Sequence, residues 1–229
     1  MAIIERDKSI QVLKDKFILC YDPLNIWFSV YTSRKSTSPK SKTGIIEQYE
    51  DMGYFSSVML ACKYTLEMEK DNKLLTNKMQ AEIVNIQNEL LNESNKTEEL
   101  INNARKQNDK YKDAKTKYAE KKAKSTEVVI NDDLTITFNK EYLYMSYRVK
   151  TNGDNVNTKQ EYRWIDMGYF PFVWQSYYGL RKVLMLKAIN EHKLKDLKAF
   201  IKLVNKTEVQ IQRLIKQADE KIRKELKIK

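Results

Sequence analysis

The sequence predicts an α+β protein built from two tandem β-β-β-β-α repeats, with long helices forming coiled-coil arms. Three observations lead there. The pentapeptide Asp-Met-Gly-Tyr-Phe occurs at 51–55 and again at 166–170, each time ahead of a long helical stretch. With those copies in register, 10–35 aligns with 127–150, apolar position against apolar position, with a small gap near Pro23. Further on, NKTEELINNARKQND (95–109) matches NKTEVQIQRLIKQAD (205–219) without gaps. Matches in the same order indicate an internal duplication of roughly a hundred residues. The first repeat is expected at 1–124 and the second at 125–229.

Within each repeat the apolar period changes from two to 3.6. In the second, Val128–Ile130, Leu134–Phe138 and Tyr142–Val149 read as β-branched and aromatic strands divided by Asn/Asp turns. A loop rich in Asn, Gly and Asp (151–158) leads to a fourth strand, Gln160–Ile165. Gly53 and Gly168 supply the positive φ of a turn. Ser56 or Ser57 offers an N-cap, and Pro171 suits a first helical turn. The pentapeptide is thus expected to be the joint between sheet and covering helix, with its aromatic pair packed beneath.

The helices then outrun a small sheet. Leu197, Ile201, Val204, Ile211, Ile215, Ala218 and Ile222 keep a 3-4 spacing broken only by Glu208, which reads as a coiled-coil seam. Met79, Ile83, Ile86 and Leu90 do the same, fading into Thr97, Ala104, Tyr111 and Tyr118. Asn95-x-x-Glu98 and Asn205-x-x-Glu208 have capping-box spacing, so a hairpin break there stays open. The unbroken apolar phase across Asn205 favours continuous helices that pair with each other or with a second molecule, giving a homodimer.

Forty-two Lys and Arg against 31 Asp and Glu leave a net charge of +11. Such a balance favours acidic partners, and it also fits solvated lysine-rich helix faces. Cys20 and Cys62 fall in an apolar strand-like run and on an apolar helix side, expected as buried reduced thiols. No apolar run reaches membrane-spanning length and the N-terminus lacks a signal-peptide core, so a cytoplasmic protein without a membrane partner is expected.

Enzyme signatures are missing. His192, the single histidine, sits beside Glu191 and Lys193 with no second ligand nearby, and reads as a solvated helix residue. No phosphate-cradling glycine motif occurs. Acidic residues scattered among lysines read as i,i+4 pairs. No catalytic residue, metal or cofactor is assigned, and the protein is expected not to be an enzyme.

A basic and aromatic pattern is left. Strand alternation puts Leu143, Met145, Tyr147 and Val149 on one face and Tyr142, Tyr144, Arg148 and Lys150 on the other. Rings that stack on bases beside cations that meet phosphates are the devices of single-strand binders. Arg163 is expected to join this set. The first repeat offers Trp27, Arg34 and Lys35, then a flexible loop with Lys40 and Lys42 that can clamp a phosphate backbone. Exposed tyrosines that strengthen cross-strand pairs and lysines that keep the chain in solution explain the same residues. The basic stretches 105–124 and 213–229 read as solvated helix ends favoured by the macrodipole.

Four strands and a helix, repeated, with basic and aromatic strands, resemble the PC4/Whirly type of single-stranded DNA-binding fold, in which two such units pair. YRWIDMGYFPFVWQSYYGL (162–180), and more loosely YEDMGYFSSVMLACKYTL (49–66), resemble small uncharacterised phage and mobile-element proteins of low-GC Gram-positive bacteria. The second resemblance implies an origin and no activity. The expected function is therefore non-enzymatic binding of nucleic acid, single-stranded DNA above RNA. The alternative is a counter-defence or regulatory protein that occupies a host defence protein through its coiled-coil arms and sheet faces.

Overall fold

The computed structural model describes residues 8–14, 16–22, 24–35, 45–121, 126–132, 134–138, 143–150, 162–192, 194 and 196–228. Two four-stranded antiparallel sheets and five helices make it an α+β protein. The order is β1 (Ser9–Leu13), β2 (Phe17–Tyr21), β3 (Ile26–Lys35), β4 (Ile45–Asp51), α1 (Val58–Asn72), α2 (Asn77–Lys106) and α3 (Asn108–Lys121). There follow β5 (Thr126–Asn131), β6 (Leu134–Phe138), β7 (Leu143–Lys150), β8 (Tyr162–Phe170), α4 (Val173–Glu191) and α5 (Leu197–Leu226). Both sheets are meanders in chain order, β1-β2-β3-β4 and β5-β6-β7-β8.

The chain divides into two compact units: Met1–Ser94 with Leu184–Glu208, and Asn95–Val183 with Val209–Lys229. In the first, β2 is buried along its whole length, as a central Phe-Ile-Leu-Cys-Tyr strand requires. The Asp22 carboxylate accepts the N–H groups of Leu24 and Asn25, both at 2.7 Å, and so shapes the β2–β3 turn. Phe17 stacks on Phe28 at 5.0 Å, and α1 lies against β3 with Val58, Ala61, Cys62 and Thr65 buried. The two cysteines are unbridged and buried, and burial pushes the Cys62 thiol up to about 12.

Helix ends follow capping chemistry, at places the capping-box spacing does not mark. Ser57 caps α1, its Oγ accepting from Leu60 N–H at 3.3 Å. The helix stops where Lys73 turns left-handed (φ 51°) and the Glu69 carboxylate takes the Leu74 N–H at 2.8 Å. Thr76 and Asp196 then cap α2 and α5, accepting from Met79 and Ala199 N–H. Asn95 and Asn205 break nothing: α2 and α5 run straight through them. Asn205 Nδ2 donates instead to the Glu89 carbonyl at 3.0 Å, and Glu98 is engaged by Tyr178 and Arg181. The matching NKTE copies also serve different places, since Asn95 belongs to the second unit and Asn205 to the first.

The seam positions Met79, Ile83, Ile86 and Leu90 on α2, and Ile201, Val204, Ile211, Ile215, Ala218 and Ile222 on α5, are all buried within the single chain. A second copy is not needed to cover them. Glu208, the break in the spacing, is buried as well. Pro171 precedes the first turn of α4 instead of lying in it, and His192 sits one residue past the end of that helix. Among the described residues no helix is long and apolar enough to cross a membrane.

Candidate nucleic-acid interface

Both copies of the pentapeptide build one local geometry at the end of the fourth strand, just ahead of α1 and α4. Ser29 lies opposite Asp51 and Ile26 opposite Phe55, so three steps along β3 face four on the other strand. Ser146 opposite Asp166 and Leu143 opposite Phe170 repeat that count on β7 and β8. Each copy is therefore a β-bulge with one extra residue, just past the end of edge strand β4 in the first unit and within edge strand β8 in the second. The glycines make it possible, with φ +84° at Gly53 and +118° at Gly168. A Cβ at Gly53 would also lie 2.8 Å from the Phe55 ring.

The bulge sets a serine against the aspartate. Ser29 Oγ donates to Asp51 Oδ1 at 2.6 Å, and Ser146 Oγ to Asp166 Oδ1 at 3.3 Å. It also turns a tyrosine outward beside a second ring: Trp27 meets Tyr54 at 5.0 Å, and Tyr144 meets Tyr169 at 5.0 Å. Tyr54 is 59% exposed and Tyr169 67%, which corrects the expectation that the aromatic pair packs beneath a helix. The phenylalanines are the inward members, Phe55 stacking on Tyr64 at 5.7 Å.

Carboxylates close both arrangements. Tyr54 Oη donates to Asp51 Oδ2 at 2.8 Å. In the second unit the hydrogen bond to Asp166 pushes the Tyr144 phenol above its ordinary range. Tyr31 and Tyr49 form a T-shaped pair at 5.5 Å along the same row of β3 and β4, and burial, then Glu47, pushes the Tyr31 phenol up. The aromatic rows are thus acidic at their centres. Phosphate is repelled there, and ring faces and base-edge donors are not.

Of the residues singled out from sequence, Trp27 and Tyr144 occupy corresponding positions, each two residues before the bulge serine. Leu143 and Met145 are buried as alternation requires. Arg34 is exposed and meets Glu50 at 3.8 Å, in the strand phase opposite to Trp27. Lys35 is exposed at the end of β3. The register sets Trp164 opposite Arg148, Tyr162 opposite Lys150 and Arg163 opposite Val149. Tyr142, Lys40 and Lys42 lie outside the described residues.

No family model, curated protein or solved structure matches the chain.

Sequence reasoning missed two features of the second unit. Tyr111 Oη and Tyr177 Oη both donate to Asp219 Oδ1, at 2.5 and 3.2 Å, and Arg223 Nε donates to Asp219 Oδ2 at 3.0 Å. Burial first, then the carboxylate, pushes both phenols up. Nearby in chain order, Glu98 accepts from Tyr178 and Arg181, and Arg105 lies over the Trp174 ring at 5.2 Å. Burial and Glu98 push Tyr178 up to about 12. These groups brace helices, and nothing in the sequence spacing brings them together. Among the described residues no group of three His, Cys, Asp or Glu is placed to hold a metal.

Proposed function

We propose that the protein binds single-stranded nucleic acid, DNA above RNA, without catalysing a reaction, and that it derives from a phage or mobile element. The observation carrying this reading is the pair of matching bulges, each presenting an exposed tyrosine beside a second ring. In this reading the bulges descend from one duplicated β4α unit, and the seams of α2 and α5 are its coiled-coil arms. Bases stack on Tyr54 and Tyr169, with the neighbouring Trp27 and Tyr144 holding the rings in place. Asp51 and Asp166 keep phosphates off the rows and accept from base-edge N–H groups.

Fluorescence anisotropy of a labelled fifteen-nucleotide single strand tests it. Stacking contributes about 1–3 kcal/mol per base. Tyr54→Ala and Tyr169→Ala should thus each weaken binding roughly 5- to 150-fold at low salt, with the fold retained because both side chains are exposed. Undiminished affinity in the double variant overturns the reading.

One observation favours the alternative, inhibition of a host defence protein by direct docking. Leu60, Tyr64 and Met68 form an i, i+4, i+8 row on α1 that is 37–42% exposed. Stoichiometric recovery of one host protein after nuclease treatment, lost on Tyr64→Asp, supports that alternative. Recovery only without nuclease supports nucleic acid.

A further inference from the structure

The aromatic rows leave open where phosphates go, since their centres carry carboxylates. A single-strand ligand brings one negative charge per nucleotide, and ordered cations have to meet it. An ordered row of exposed cations lies on α5.

Lys198, Lys202, Lys206, Arg213, Lys216 and Lys224 are all exposed. At 100° per residue they fall within an arc of about 80°, and at 1.5 Å per residue they span roughly 40 Å. Glu220 is the acid on that arc. Of the other acids of α5, Glu208 is buried, Asp219 is held by Tyr111, Tyr177 and Arg223, and Glu225 falls outside the arc. Lys221 is likewise engaged, donating to the carbonyls of Val129 and Ile130.

Helix stability does not account for the row. The macrodipole favours cations in the last turn and disfavours them in the first, where Lys198 sits with no acidic residue. Lys198, Lys202 and Lys206 repel one another at i,i+4. A lysine-rich composition does not account for it either. Helix α2, of the same 30-residue length, exposes one cation over 84–99, Lys96, beside Glu89, Glu99 and four asparagines.

We infer that this face of α5 is a docking surface for the phosphodiester backbone of a single strand. A straight row with cations about 4.5–12 Å apart along the axis suits a chain flexible enough to extend along it. A duplex winds its phosphates away from a straight helix after a few contacts. A membrane surface is disfavoured because the apolar side of α5, with Phe200, Ile211 and Ile215, is buried and has nothing to insert. The inference shares its ligand class with the proposed function but rests on a different surface.

The test is the salt dependence of oligothymidylate binding for the full chain. Each single-strand phosphate contact contributes about 0.7 to the log–log slope. Lys202→Gln, Lys206→Gln, Arg213→Gln and Lys216→Gln together should lower the slope by about 2.8 and affinity at 0.1 M salt by roughly 600-fold. A control, Lys14→Gln, Lys16→Gln, Lys78→Gln and Lys182→Gln, removes the same charge from exposed positions elsewhere and should change the slope by less than about 0.7. Equal losses in the two variants overturn the assignment. So does tighter binding of a duplex of equal length, or displacement by polyglutamate at equal charge, which points to an acidic polypeptide. The tyrosine variants should lower affinity at unchanged slope, so failure of the stacking platform and failure of the α5 row read out separately.

Discussion

Asp219 should be the most costly polar side chain to remove in the second unit. Its Oδ1 accepts from the fully buried Tyr177 and from Tyr111, and its Oδ2 from Arg223. In Asp219→Ala the Tyr177 hydroxyl loses its acceptor, at about 1–3 kcal/mol for a buried unpaired group. Tyr111 loses its acceptor too, although Arg223 still donates to its oxygen at 3.3 Å. With the Asp219 side chain 30% exposed, water recovers part of the loss. The expected total is about 2–4 kcal/mol, or roughly 4–16 °C in Tm for a chain of this size. Urea titration at pH 7 reads it, and Tyr177→Phe in the same background should recover about 1 kcal/mol by removing the stranded hydroxyl. A loss below about 0.5 kcal/mol, or no coupling between the two positions, refutes the reasoning.

The same groups set the alkaline limit. Raised phenol values mean that the folded state favours protonated Tyr111 and Tyr177, so their contribution is present below the ordinary value of 10.0 and lost as pH climbs through the folded values. Thermal melts should therefore hold steady toward pH 10 and fall above it, less steeply in Tyr111→Phe. Cys62, raised to about 12 from 9.0, favours its thiol form. Ellman's reagent at pH 8 should leave it unreacted until urea is added. Gly53→Ala should cost about 2 kcal/mol, from a Cβ at positive φ and its approach to Phe55, and should lower Tm by roughly 4–8 °C. Ser57→Ala should cost about 1 kcal/mol through loss of the α1 cap, read by urea titration.

Elements whose signal is local were legible in the sequence. Leu134–Phe138 forms β6 as alternation predicts, and the 3-4 spacing found the buried sides of α2 and α5. The cap was narrowed to Ser56 or Ser57 because N-caps are read within one turn, and Ser57 is the one that caps α1. Non-local chemistry was hidden. The pentapeptide announced a positive φ at glycine, yet only strand register shows that it is a bulge pairing Asp51 with Ser29 and Asp166 with Ser146. That same register turns Tyr54 and Tyr169 outward. Thr76 and Asp196 were in plain view as caps, but the Asn-x-x-Glu spacing directed attention to Asn95 and Asn205. The Tyr111–Tyr177–Asp219 cluster draws on three separate helices, and no window of sequence contains it.

The most direct test of the account is whether a base meets the ring pair of the first unit. With Trp164→Phe and Trp174→Phe, Trp27 is the one indole left in the chain, and its emission reports on its contact with Tyr54. Titration with a short oligothymidylate at low salt should quench that emission to saturation, with recovery on added salt. Trp27 emission that stays flat throughout the titration contradicts the account.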